Sequence, residues 1–90
     1  MIRKLPKYIK WIYTLPCCLC GAEAEPHHIK GIGHFSGGGL KAPDWLAMPL
    51  CREHHAIMHA DPHQWADQPL MVLRTLFAAV EAGEVEIRAL

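Results

Sequence analysis

Seven histidines, at positions 27, 28, 34, 54, 55, 59 and 63, and four cysteines, at 17, 18, 20 and 51, are the residues of this 90-residue chain best suited to chemistry. Ten of the eleven fall within residues 17–59. In a secreted chain four cysteines would suggest two disulfides. Here Cys17, Cys18 and Cys20 are crowded together, and the basic first fifteen residues contain no signal-peptide pattern, so metal is the better reading.

Cys17 and Cys20 have the spacing of a zinc knuckle, with Gly21 to make the tight turn that aims backbone amides at the sulfurs. Cys51 and His54 repeat the same spacing thirty-odd residues on. Together they form a three-cysteine, one-histidine set that fills a tetrahedron and leaves no position for substrate, as a structural zinc requires. Cys18 falls outside that geometry and is expected to be a packed or exposed thiol.

His55 and His59, four apart on a helix, project from one face and can share a cation. His54 and His55 point about 100 degrees apart, so one helix can serve two metals. His27 and His28 are neighbours at the end of a short strand, where side chains alternate. One of them can join the cation while the other faces a substrate.

The elements that must hold these residues follow from pattern and punctuation. Residues 1–16 are a basic and aromatic lead-in, with Arg3, Lys4, Lys7 and Lys10 among Tyr8, Trp11 and Tyr13, and residues 17–90 are read as one domain. Residues 17–21 make a turn. Residues 22–29 read as a strand that Pro26 restricts to an edge, and residues 30–43, with five glycines, as a loop. A second strand is expected over 45–50 and a helix over 51–60. Asp61 and Pro62 then start a short helix, as cap and first-turn residue. A last helix runs over 68–82, with Leu70, Leu73, Phe77 and Val80 sharing one apolar face and Gly83 as its stop.

Composition bounds the rest. With 51% hydrophobic and 20% charged residues the chain is too apolar for disorder and long enough for one domain. A core of that size is thin, and a metal staple would be in keeping. No apolar stretch reaches membrane-spanning length, and secretion is not indicated. The net charge of zero hides a division: residues 1–52 carry seven Lys or Arg against three acids, and residues 53–90 carry two against six. Arg3, Lys4, Lys7 and Lys10, interleaved with Tyr8, Trp11 and Tyr13, are either a grip for a polyanion or a solvated tail.

A CxxC pair, a strand ending in a histidine doublet, a loop, a strand running into PLC and a helix beginning CxxHHxxxH resemble the ββα-metal finger of HNH endonucleases with an accessory zinc. More narrowly, PCCLCGAEAEPHHIKGIG and KAPDWLAMPLCREHHAIMHADPHQW, with the leucine-rich helix that follows, resemble the Ref family of phage RecA-dependent nucleases, PLCREHHAIMH being the most specific part. The fold class this implies is a small α+β, zinc-stapled ββα-metal finger followed by C-terminal helices. The implied activity is one-metal hydrolysis of DNA, linked to phage or bacterial recombination, in a bacterial host cytoplasm and with RecA filaments as a partner. By the doublet pattern His27 ligates the cation with His55 and His59, and His28 is the general base. The expected catalytic cofactor is a divalent cation, magnesium or manganese, although three imidazoles take zinc, nickel or manganese more readily than magnesium. The chain has no asparagine, the middle letter of HNH, so Asp44 or a backbone carbonyl near the start of the second strand must orient the base. Lys30, Lys41 and Arg52 lie in or beside the site segments and are candidate phosphate contacts. The glycine loop would follow the DNA backbone, or simply connect.

A zinc-stapled module that binds DNA or protein without cutting would need Cys17, Cys20, Cys51 and His54. It gives no reason for His55 and His59 at ligand spacing beside a histidine doublet. A purely structural two-zinc domain is the third alternative.

Overall fold

A computed structural model of the chain describes residues 3–31 and 41–86 as a small α+β unit. Three helices surround a two-stranded antiparallel ribbon: α1 (Pro6–Ile12), β1 (Glu25–His28), β2 (Ala47–Leu50), α2 (Arg52–Ala60) and α3 (Gln68–Glu81). Short 3-10 turns at Asp44–Leu46 and Pro62–Asp67 lead into β2 and α3.

The register of the ribbon follows from its prolines. Pro26 lies opposite Pro49, and neither has an N–H to give, so this is a pair that exchanges no hydrogen bonds. Alternation then makes Glu25–Leu50 and His27–Met48 the bonded pairs, and the bond from Ile29 N to Leu46 O continues the series. The same alternation puts Glu25 and His27 on one face of the ribbon and His28 on the other.

Each face has its own cluster. Met48 and Leu50 pack with Ile29, Met58, Met71 and Val72, whereas Ala47 packs with Tyr8, Ile12 and Ala79. The strands are shorter than expected at their outer ends: 22–24 lie before β1, and Trp45 and Leu46 belong to the 3-10 turn. Helix α2 starts one residue late because Cys51 caps it, its sulfur accepting the His54 amide.

Within the lead-in, residues 6–12 are a helix with Pro6 in its first turn, and Tyr8 and Ile12 are buried against the ribbon. The apolar face expected on the last helix is the exposed one: Leu70, Leu73, Phe77 and Val80 are 36 to 66% exposed. Helix α3 instead buries Gln68, Met71, Val72, Thr75 and Ala79. Both sets recur at helical spacing, so periodicity does not choose between them. Small Ala79 and Thr75 let α3 approach closely, and the Thr75 hydroxyl is satisfied by the Met71 carbonyl at 2.8 Å. Gly31 has φ +76, and a Cβ there would stand 2.6 Å from the Trp65 ring, so the exit from β1 requires glycine. The greater part of the glycine loop, residues 32–40 with His34, lies outside the described residues.

Candidate metal centre

Among the described residues two clusters of ligand-type side chains are present, and α2 contributes to both. The first is Cys17, Cys20, Cys51 and His54. The knuckle that carries Cys17 and Cys20 is closed by Cys17 N to Ala22 O at 2.7 Å and Gly21 N to Cys17 O at 2.8 Å, with Gly21 at φ +77. Cys20 Sγ lies 3.7 Å from Cys51 Sγ, and His54 Nδ1 lies 3.2 Å from Cys51 Sγ and 3.8 Å from Cys17 Sγ. Tetrahedral zinc, with bonds of about 2.3 Å to sulfur and about 2.0–2.1 Å to nitrogen, separates its ligands by roughly 3.6–3.8 Å. The cluster could therefore hold a zinc ion with little movement.

The electrostatics favour a thiolate at Cys17. Burial alone would raise the Cys17 thiol, but the backbone amides of Cys51, Leu19 and Cys20, together with the Cys20 side chain, bring it down to about 6. The Ala22 backbone bond works to lower the Cys20 thiol, but desolvation and its side-chain contacts with Cys17 and Cys51 outweigh it and raise that group. Cys18 stands apart: its thiol points at Met71 Sδ, 3.3 Å away, and burial and the neighbouring Cys17 push it up to about 11.

The second cluster is His27, His55 and His59. Their ring centres are 4.8 to 5.2 Å apart, close to the roughly 5 Å that three imidazoles adopt around one ion at ordinary metal–nitrogen distances. His27 is fully buried, His55 half-buried and His59 exposed, so the set is walled on one side and open on the other. Burial, along with the charges of His55, His59 and Lys30, brings His27 down to about 4 despite its hydrogen bond to Gln68. Burial, Lys30 and His55 also lower His59. Neutral imidazoles with free lone pairs are the form a cation binds. Three ligands and an open side leave positions for water or substrate, unlike the closed quartet.

Two further residues hold these imidazoles, and sequence reasoning passed over both. Glu25 accepts from His55 Nδ1–H at 3.0 Å, and Gln68 Oε1 accepts from His27 Nε2–H at 2.9 Å. Such partners orient metal-binding histidines. Glu25 was findable, being two residues before His27 on the same strand face. Gln68 left no signal beyond being a polar residue in the first turn of an apolar helix.

His28, on the opposite face, donates from Nε2–H to Asp44 Oδ1 at 2.8 Å, and Asp44 Oδ2 accepts the Leu5 amide at 2.7 Å. Burial works to raise the Asp44 carboxyl, but His28, the Leu5 amide and Lys41 outweigh it and hold the group below the usual carboxylate value. The three basic candidates are dispersed. Lys30 is close enough to the imidazole cluster for its charge to act on His27 and His59, and Lys41 acts on Asp44. Arg52 lies in a cleft with Tyr13, Glu23 and Glu25, whose two carboxylates make a poor setting for a phosphate. Among the described residues no helix is long and apolar enough to cross a membrane.

The chain belongs to the family described as "Protein of unknown function (DUF968)", which matches residues 1–83. Among relatives, it is 42% identical over 77 residues to "Uncharacterized protein YdfU" of Escherichia coli (strain K12). That match takes in 83% of this chain and 22% of the relative, so the chain spans less than a quarter of that protein's length. No solved structure matches it.

Proposed function

We propose that the chain is a metal-dependent DNA endonuclease of the HNH type, hydrolysing phosphodiesters with one catalytic cation beside a structural zinc. The observation that carries this reading is the open cluster of His27, His55 and His59 on one face of the ribbon and the His28–Asp44 dyad on the other, with His27 and His28 adjacent on one strand. The order β1, β2, α2 with the quartet at its base is the arrangement expected of a ββα-metal finger.

The residues divide the work. Asp44 holds the Nε2–H of His28, so a neutral His28 presents a bare Nδ1 that can take a proton from an attacking water. His27, His55 and His59 are the ligands for a divalent cation, which would stabilise charge on the phosphate and the departing 3′ oxygen. Among the described residues β1 has no strand on its outer side, so a phosphate lying along that edge could approach His28, while buried His27 would act on it only as a ligand of the cation. Lys30 beside the imidazoles and Lys41 beside the dyad supply positive charge on the two flanks. Arg52, between Glu23 and Glu25, has the weaker claim on a phosphate. Recombinase dependence belongs to the same reading, with RecA filaments as the partner.

The test is nicking of supercoiled plasmid and of a displacement loop, with magnesium, manganese, nickel or zinc, with and without RecA filaments. After mild chelation the protein should retain one tight zinc and lose a second ion together with its activity. A protein that cuts neither substrate under any of these conditions, while still binding DNA, is a zinc-stapled binding module.

A further inference from the structure

The catalytic reading makes no use of Gln68, yet this side chain is 1% exposed and makes four hydrogen bonds. Its orientation is fixed by backbone groups whose chemistry is unambiguous. Lys30 N–H donates to Gln68 Oε1 at 3.0 Å, and Gln68 Nε2 donates to Lys30 O at 3.1 Å and to Trp65 O at 3.4 Å. A flipped amide would set N–H against N–H and oxygen against oxygen. The atom facing His27 is therefore Oε1, which can only accept.

His27 must then carry its proton on Nε2, 2.9 Å from that oxygen. A neutral imidazole has one N–H, so Nδ1 is a bare lone pair. Nδ1 is buried and has no hydrogen-bond partner. The rings of His55 and His59 stand nearly perpendicular to that of His27, with centres at 4.9 and 5.2 Å. A buried lone pair without a partner is costly unless something occupies it. By the same logic Glu25, accepting from Nδ1–H of His55, leaves that ring's Nε2 bare.

We propose that Gln68 is the positioning residue of the cation centre: it fixes the His27 tautomer so that His27 ligates through Nδ1, while Glu25 makes His55 ligate through Nε2. The centre is thereby wired through opposite ring nitrogens. The inference rests on reading the three imidazoles as a cation site, and it stands apart from whether DNA is cut.

The experiment uses the full chain with zinc in its cysteine quartet. Long-range proton–nitrogen correlation of the 15N-labelled protein, freed of exchangeable ion, reports which His27 nitrogen carries the proton, and calorimetric titration with manganese and with nickel reports affinity. Nε2–H is expected for His27 in the parent. Gln68→Met should weaken binding about 10–100-fold, the usual effect of removing a residue that orients a ligand, and should leave the quartet zinc in place. Gln68→Glu keeps the acceptor toward His27 but sets its second oxygen against the Lys30 and Trp65 carbonyls, so it should melt below the parent while His27 stays protonated on Nε2. A parent protonated on Nδ1, or a Gln68→Met protein that binds as tightly as the parent, overturns the assignment. If Gln68→Met does not fold, the His27 tautomer in the parent and in Gln68→Glu decides. A chain that shows the Nε2–H tautomer and Gln68-dependent binding but never cuts DNA would end the nuclease reading alone, and an active nuclease with Nδ1–H would end this one alone.

Discussion

Asp44 grips His28 with one carboxylate oxygen and the Leu5 amide with the other, at 2.8 and 2.7 Å, so the strand histidine is tied to the start of α1 through a single side chain. The Asp44 amide returns the contact by donating to Arg3 O, and the Arg3 guanidinium donates to the Lys41 carbonyl. His28→Ala should lower nicking on the order of 100-fold to 10,000-fold, the worth of a general base, with zinc content and DNA affinity unchanged. Asp44→Ala should fall between parent and His28→Ala, since the imidazole survives but loses its orientation. Single-turnover nicking at saturating metal checks both. A His28→Ala protein as fast as the parent removes the base assignment.

The quartet should behave as a folding staple, because a site that exists only in the folded chain turns binding energy into folding energy. Cys51→Ser should depress the melting temperature steeply and release one equivalent of zinc. Cys18→Ser should leave zinc stoichiometry intact, since Cys18 faces Met71 and not the quartet. Zinc assay alongside thermal melts reads both variants.

Acid should destabilise the fold through His27. Its folded value of about 4 lies below the ordinary 6.5, so the unfolded chain binds the proton first. That contribution is fully present above about pH 6.5 and is lost as pH falls toward 4, with an upper bound of about 3 kcal/mol at 1.36 kcal/mol per unit. Asp44, also depressed, contributes stability above the ordinary carboxylate value and loses it at lower pH still. Urea melts of parent and His27→Gln between pH 8 and pH 4, with the exchangeable ion removed, should converge on acidification. Parallel curves would mean that His27 is not buried in its neutral form.

Gly31→Ala and Gly83→Ala make a matched pair. Both glycines have positive φ, at +76 and +77, but a Cβ at 83 meets nothing within 4 Å while one at 31 strikes the Trp65 ring. Backbone strain of about 1–3 kcal/mol applies to each, and only Gly31→Ala adds the cost of displacing Trp65, whose Nε1 donates to Met58 O at 2.7 Å. Thermal melts should rank Gly31→Ala well below Gly83→Ala.

The lead-in lysines should govern salt dependence. Lys4, Lys7 and Lys10 are exposed on or beside α1. If they contact phosphates, replacing all three by Ala should flatten the slope of log affinity against log salt by up to about three. An unchanged slope in fluorescence anisotropy would make them a solvated face.

Much of the candidate site was legible because its spacing is local. CxxC, CxxH and His55/His59 are set by one turn and one helix, and the structure brings together the same two ligand groups. The His28–Asp44 contact joins residues sixteen apart through a loop, and the absence of asparagine in an otherwise HNH-like pattern was the only pointer to it. Gln68 meets His27 across forty-one residues, and no local pattern encodes that. In α3 two stripes share one period, and the buried one is the stripe whose Met71 and Val72 meet Met48 and Leu50 while Ala79 meets Ala47, partners that the helix's own periodicity does not reveal. Helix α1 was hidden because lysines and aromatics alternate over Tyr8 and Ile12, whose burial depends on a partner surface the segment does not contain.

The facing prolines of the ribbon have a consequence for self-association. A two-stranded sheet is all edge, and an exposed edge offers its unpaired amides to any strand that passes. At Pro26 and Pro49 the outward-facing nitrogen carries no hydrogen, and the outward carbonyl of Pro49 is already taken by Cys18 N at 3.0 Å. An incoming strand would find no donor at the centre of either rim. The ribbon is thereby guarded against edge-to-edge polymerisation, and β1 keeps an open flank without becoming a template for aggregation.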